Sequence, residues 1–227
     1  MKYYVIKHSC ETKITGTSST QILDSAAEYN FYDPRSSLML GFSLANKNTL
    51  WPVGIVKHKS VKMTDLLSVS AMGLNQKLIV SEKLKNILFS KSTLGVQPIA
   101  IKIKKGDTEY NYWVIHPYKS DFSFLDFPSS VIGLTDRMLK NELDEVSFNS
   151  FEAFYNAFEK SQKDAITQGF DDFKPLQIRK AIIKPDNPYY FFAFYPLRNY
   201  SIAFVVSEKL KNEIIDAKCT GIEFFEL

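Results

Sequence analysis

Two serines, Ser81 and Ser207, are the first residues to weigh as chemistry, because they sit in nearly the same local sequence. A serine nucleophile stands on a tight, glycine-flanked elbow with a histidine base nearby in space. Neither serine has a flanking glycine, so both read as helix caps, whose hydroxyl accepts a bond from a first-turn backbone N–H. The three histidines, His8, His58 and His116, never pair at i, i+4, and no Cys-x-x-Cys occurs. His8 and Cys10 share a strand face by spacing, and that pair alone does not make a metal site. Glycine-rich nucleotide loops are missing from the sequence. Carboxylates cluster as Asp121 with Asp126 and as Glu142, Asp144 and Glu145; without a cleft these read as solvated charges. Lys102, Lys104 and Lys105 lie near Tyr110, Tyr112 and Trp113, a pattern that suits stacking on single strands. The net charge of only +3 favours a plain polar strand face instead. The expectation is no catalysis, metal or cofactor, and no nucleic-acid or membrane partner. A hydrolase using His116 or Asp126, or a nucleic-acid-binding protein, stands as the alternative.

The elements that position these groups are built on a repeat. Residues 80–86 and 206–212 both read Val-Ser-Glu-Lys-Leu-Lys-Asn. The offset, 207 − 81 = 126, also aligns Gly95 with Gly221, Val96 with Ile222 and Ile99 with Phe225. Seven consecutive identities at that distance indicate one unit used twice. Each copy has a short apolar run that predicts a buried strand, then Ser-Glu opening a helix, then a glycine turn into another strand. Leu84, Ile87 and Leu88 form the apolar helix face in the first copy, and Leu210 and Ile214 in the second.

The 227 residues allow one large domain or two small ones. Eighteen phenylalanines and twelve tyrosines favour sheets and a thick core. The opening residues lack the apolar core of a signal peptide, and no run approaches the roughly 20 apolar residues of a membrane helix. A cytoplasmic protein, monomer or homodimer, is expected. Strands are predicted at 3–6, 37–44, 50–56, 176–183 and 189–195, and short helices at 22–29 and 63–70. Lys105-Gly106-Asp107 predicts a hairpin pairing 97–104 with 109–116. Phe148, Phe151, Phe154, Tyr155 and Phe158 recur at helical spacing and predict a core-facing helix. The class is α+β: mixed, mainly antiparallel sheets, few short helices and an internal strand–helix–strand duplication. The expected division is 1–145 and 146–227, or one continuous domain.

Val80–Leu88, Gly95–Val96, Tyr112–Pro117 and Asp126–Ser130, with the closing stretch Phe204–Leu227, resemble bacterial immunity proteins of polymorphic toxin systems, of the group called immunity family eleven. The resemblance covers roughly residues 70–130 and 175–227. It implies a small protein that binds and neutralises one cognate toxin by stoichiometric, non-catalytic contact. It supplies no contact residues. Many toxin active sites are basic, so the acid-rich Glu142, Asp144, Glu145, Asp171 and Asp172 are the expected toxin contact.

Overall fold

The computed structural model describes residues 1–26, 28–41, 43–119, 122–135, 142–168, 176–194 and 202–227. Their element order is β1 (Tyr3–His8), α1 (Thr12–Thr15), β2 (Asp24–Ser25), β3 (Gly54–Val56), β4 (Leu66–Leu67), β5 (Leu78–Val80), α2 (Glu82–Leu88), β6 (Thr93–Leu94), β7 (Val96–Lys105) and β8 (Thr108–Pro117). There follow β9 (Val131–Thr135), β10 (Glu142–Val146), α3 (Phe151–Gln168), β11 (Leu176–Lys180), β12 (Phe191–Phe194), β13 (Ala203–Ser207), α4 (Glu208–Asp216) and β14 (Ile222–Glu226). The fold is α+β, with sheets that are mostly antiparallel and helices that are mostly short. No helix among the described residues is long and apolar enough to cross a membrane.

Two compact units share the chain. The first comprises Met1–Ser120, Tyr189–Ala193 and Phe204–Glu226; the second comprises Asp121–Pro188, Phe194–Ala203 and Leu227. The units are interleaved along the sequence, whereas the sequence expectation divides it once, after residue 145.

The first unit holds a six-stranded sheet, β2-β3-β7-β8-β5-β4, and a five-stranded sheet, β14-β1-β13-β12-β6. The β7–β8 hairpin runs in register from Val96↔Pro117 to Lys105↔Thr108, with Gly106 at φ +57° in the turn. Strand alternation sorts its side chains. Ile101, Ile103, Tyr112 and Val114 join one buried cluster with Ile22, Val56, Val61, Leu67, Leu74 and Ile79. The opposite face of β8 carries Trp113, whose indole N–H donates to Glu82 on α2. Lys85 of the same helix lies 4.3 Å over the indole ring.

Both Ser81 and Ser207 are N-caps, accepting from the N–H of Leu84 and of Leu210 at 3.2 Å in each case. Val80 ends β5, and Ser207 itself closes β13. Leu84, Leu88, Leu210 and Ile214 are buried, and Ile87 is half-buried. Gly95 and Gly221 adopt φ +67° and +80°. A Cβ at Gly95 would lie 2.0 Å from the Lys119 carbonyl oxygen, and one at Gly221 2.5 Å from that of Leu66. Both turns therefore need glycine.

Four predicted elements differ from the structure. Residues 63–70 form β4 rather than a helix, because Leu66 and Leu67 pair with Val80 and Ile79, and Ser68 and Ser70 exchange backbone bonds with Ile22. Residues 22–29 hold β2, paired to β3, in place of a helix. Residues 37–41 and 43–44 are irregular rather than a strand, with Met39 N–H donating to Ser36 O and Ser43 N–H to Leu40 O. Of the strand predicted at 50–56, only Gly54–Val56 is regular; Pro52 brings no N–H to a ladder.

The second unit holds the antiparallel sheet β10-β9-β11 and the helix α3. Its aromatic cluster centres on buried Phe154, with the rings of Phe122, Phe127 and Phe148 at 5.6, 5.4 and 5.6 Å. Phe151 and Tyr155 remain exposed at their outer sides. The core-facing stripe is therefore narrower than the run of aromatics in the sequence.

Candidate functional site

Between β2 and β3, the described residues 28–41 and 43–50 belong to no named strand or helix. A connection of this length without its own strands or helices is uncommon in a compact unit and marks a place to look for function. Its conformation is held by local polar chemistry. The Tyr29 hydroxyl lies 2.7 Å from Ser36 Oγ and 3.1 Å from Ser37 Oγ, and donates to Leu50 O at 2.9 Å. Ser37 N–H donates to Leu50 O and Leu50 N–H to Arg35 O, so the two ends of the segment are tied side by side. Asp33 accepts from the backbone N–H of Arg35 at 2.8 Å and from its guanidinium at 3.0 and 2.8 Å. The Arg35 side-chain bonds hold the Asp33 carboxyl down at about 2. Arg35 is thereby neutralised locally and is not a free anion hook.

The far side of the segment is latched to the hairpin. Gln97 accepts from Ala45 N–H and donates to Ala45 O, each at 3.1 Å. His116, the register partner of Gln97, lies with Nε2 2.8 Å from Ser43 O. A carbonyl only accepts, so Nε2 carries the proton and Nδ1 is left as an acceptor. That Nδ1 is buried and has no hydrogen-bond partner among the described residues. Burial, with Lys77 nearby, lowers the His116 pKa, against the opposing bond to Ser43. Trp51 packs edge-on to the imidazole at 5.6 Å, and Lys77, itself lowered by burial to about 8, sits 5.8 Å over the indole.

These ties leave apolar side chains outside. Tyr32 is 87 % exposed, Leu44 59 % and Met39 53 %, with Leu38 and Leu50 also above a third. The segment also encloses a cavity of about 330 Å³ whose lining is mostly polar, with Arg35, Ser36, Ser43, Asn46, Asn48 and Thr49 beside Pro34, Met39 and Leu40. The segment thus carries several exposed large apolar side chains while its backbone is tied down, and one of them, Met39, also lines the cavity.

The residues singled out from sequence are scattered. Ser81 donates to Asp65 Oδ1 at 2.6 Å while capping α2, so its hydroxyl is used on both sides. Ser207 is fully buried at its cap. Asp126 serves through its backbone, donating to Ile182 O and accepting from Ser130. Lys102 pairs with Glu109 at 2.9 Å, Lys105 donates to Val61 O at 2.6 Å, and Tyr112 is buried, so the basic–aromatic set is dispersed. His8 ends β1 with its pKa lowered by burial, and Cys10 and Cys219 are free thiols. No group of three or more His, Cys, Asp or Glu among the described residues could hold a metal ion. Glu142, Asp144 and Glu145 lie on β10, an edge of the three-stranded sheet, with Asp144 and Glu145 exposed. Asp171 and Asp172 lie outside the described residues.

Sequence reasoning missed the Tyr32–Leu50 surface, because it assigned 37–44 to a strand and so to a core. The available signal was Leu38-Met39-Leu40 with Leu44 inside a Ser-, Asn- and Pro-bearing stretch that lacks strand alternation. No family model matches the chain, and no curated protein matches it either.

Proposed function

We propose that this chain is a non-catalytic protein-binding protein, and specifically an immunity protein that binds and neutralises a cognate bacterial toxin domain in the cytoplasm. The observation that carries the binding reading is the exposure of Tyr32, Met39 and Leu44 along one segment fixed by Tyr29, Gln97 and His116, with Met39 also lining a cavity. Apolar and aromatic anchors around a small pocket, ringed by polar groups, are what binding hot spots are made of. A pre-ordered segment also loses little entropy on binding. The toxin as partner follows from the sequence resemblance. The acidic group Glu142, Asp144, Glu145, Asp171 and Asp172 is proposed as a second contact, steering a basic toxin surface.

The hydrolase alternative has less support. The His116 ring bonds a backbone carbonyl and packs against Trp51 rather than against a carboxylate, and both repeated serines are engaged as caps. A base that activates a nucleophile needs an orienting partner and a free nitrogen within reach of it. The test is co-expression with the toxin domain encoded by the neighbouring gene. Growth rescue together with co-purification supports the reading. Loss of both refutes it.

A further inference from the structure

The repeat extends further than the strand–helix–strand that the sequence displays, and its missing piece comes from the other end of the chain. In the first copy, β8 lies between β5 and β7, antiparallel to both. In the second, β13 and β14 flank β1, again antiparallel on both sides. The registers coincide. Val80 faces Trp113 and Val206 faces Tyr4; Ile79 faces Val114 and Val205 faces Val5. Ile99 faces Val114 and Phe225 faces Val5. Each match sets β1 on β8 at one offset, 113 − 4 = 109, and that offset aligns Tyr3-Tyr4-Val5-Ile6 with Tyr112-Trp113-Val114-Ile115. The helix contacts repeat as well: Lys85 lies over Trp113 at 4.3 Å and Lys211 over Tyr4 at 3.6 Å. The strand before each copy agrees too, since Ser81 N–H donates to Asp65 O and Ser207 N–H to Tyr190 O, at 2.8 and 2.9 Å.

The two copies also hold each other reciprocally. The segment after α2 pairs with β12 of the second copy, through Phe191↔Thr93 and Phe192↔Leu94. The segment after α4 bonds to β4 of the first, through Leu66 N–H to Thr220 O and Thr220 N–H to Asp65 Oδ2. The helices α2 and α4 pack together. Mutual use of the same patch is the signature of a two-fold, isologous interface.

We infer that the first unit is a fused pseudo-dimer of one four-stranded, one-helix module, and that its second copy is circularly permuted. The slot between β13 and β14 is a strand-accepting site, and its ligand is an extended Tyr-aromatic-Val-Ile segment supplied by residues 3–6 of this chain. Segment 9–64 and the second unit belong to neither copy. Function that is not shared between the copies resides there, as the binding surface at 28–50 does.

The test is a full-length permutant in which residues 1–9 follow Leu227 through a short turn, as Gly106-Asp107 joins β7 to β8. Linkers of two, four and six residues remove dependence on one loop geometry. At least one should fold with an unchanged circular dichroism spectrum and a Tm within about 5 °C of the parent. Failure of all three overturns the inference. Independently, in the unpermuted chain, the paired exchange Tyr4→Trp with Trp113→Tyr should leave Tm within about 5 °C, because the two positions are equivalent. Tyr3→Trp, which puts an indole on the opposite face of β1, where the equivalent residue Tyr112 is also a buried tyrosine, should lower it by more than that. An exchange that costs as much as Tyr3→Trp contradicts the register.

Discussion

Leu84 and Leu210 provide a matched pair of perturbations. Each is fully buried, each is the third residue of its helix, and each N–H is held by the capping serine at 3.2 Å. Truncation to alanine removes three carbons. At about 0.8 kcal/mol per buried methylene the transfer loss is roughly 2.4 kcal/mol. The cavity left behind adds to it, because helix and sheet relax only in part, and the total falls within about 2–5 kcal/mol. The alanine variants keep the cap and the helix propensity, so packing alone is tested. The chain has two tryptophans, Trp51 and Trp113, and both lie in the first unit, so tryptophan fluorescence in a urea titration follows that unit. We expect each variant to lower the midpoint at an unchanged slope, corresponding to about 3 kcal/mol, with the two losses equal within roughly 1 kcal/mol. A loss under about 0.5 kcal/mol in either variant would place that leucine at the surface and refute the packing argument. A large loss in one and none in the other would break the equivalence of the two copies.

Four further outcomes are expected. Ser207→Ala should cost about 1 kcal/mol in the same urea assay, since the Leu210 N–H is left without its acceptor. His116 is lowered below its ordinary 6.5 in the fold, so the unfolded chain takes up the proton first; its contribution is whole above pH 6.5 and is lost as pH falls below that. His116→Gln should therefore reduce the slope of stability against pH in acid, measured by urea midpoints. Leu44→Glu and Met39→Glu should leave stability within about 0.5 kcal/mol and weaken toxin binding at least tenfold, as seen by calorimetry. Reversing charge at Asp144 and Glu145, or at Asp171 and Asp172, should slow association at low salt in stopped flow; an unchanged rate places the steering surface elsewhere.

What could be read from the sequence was whatever local rules decide. The β7–β8 hairpin follows from the alternation of Ile99, Ile101 and Ile103 with lysines and from a Gly-Asp turn. Both helices follow from Ser-Glu after an apolar run. Where the deciding partner is distant, local rules fail. Leu66-Leu67 becomes a strand because Val80 and Ile79 await it; Tyr3–Ile6 was legible as a strand, but not its central place between β13 and β14. The permutation was hidden because its match sits at offset 109 rather than 126, in four residues. The conformation around Tyr32, Met39 and Leu44 was hidden for another reason: its ties are side chain to backbone, from Tyr29, Gln97 and His116, and such bonds leave no periodicity in the sequence.

The most direct test of the binding claim is a calorimetric titration of the purified chain with the purified toxin domain of the neighbouring gene, run in parallel with the Leu44→Glu variant. A one-to-one complex of nanomolar or tighter Kd, weakened at least tenfold by Leu44→Glu, is the predicted result. No heat of binding at micromolar concentrations, or binding that Leu44→Glu and Met39→Glu leave untouched, would contradict it.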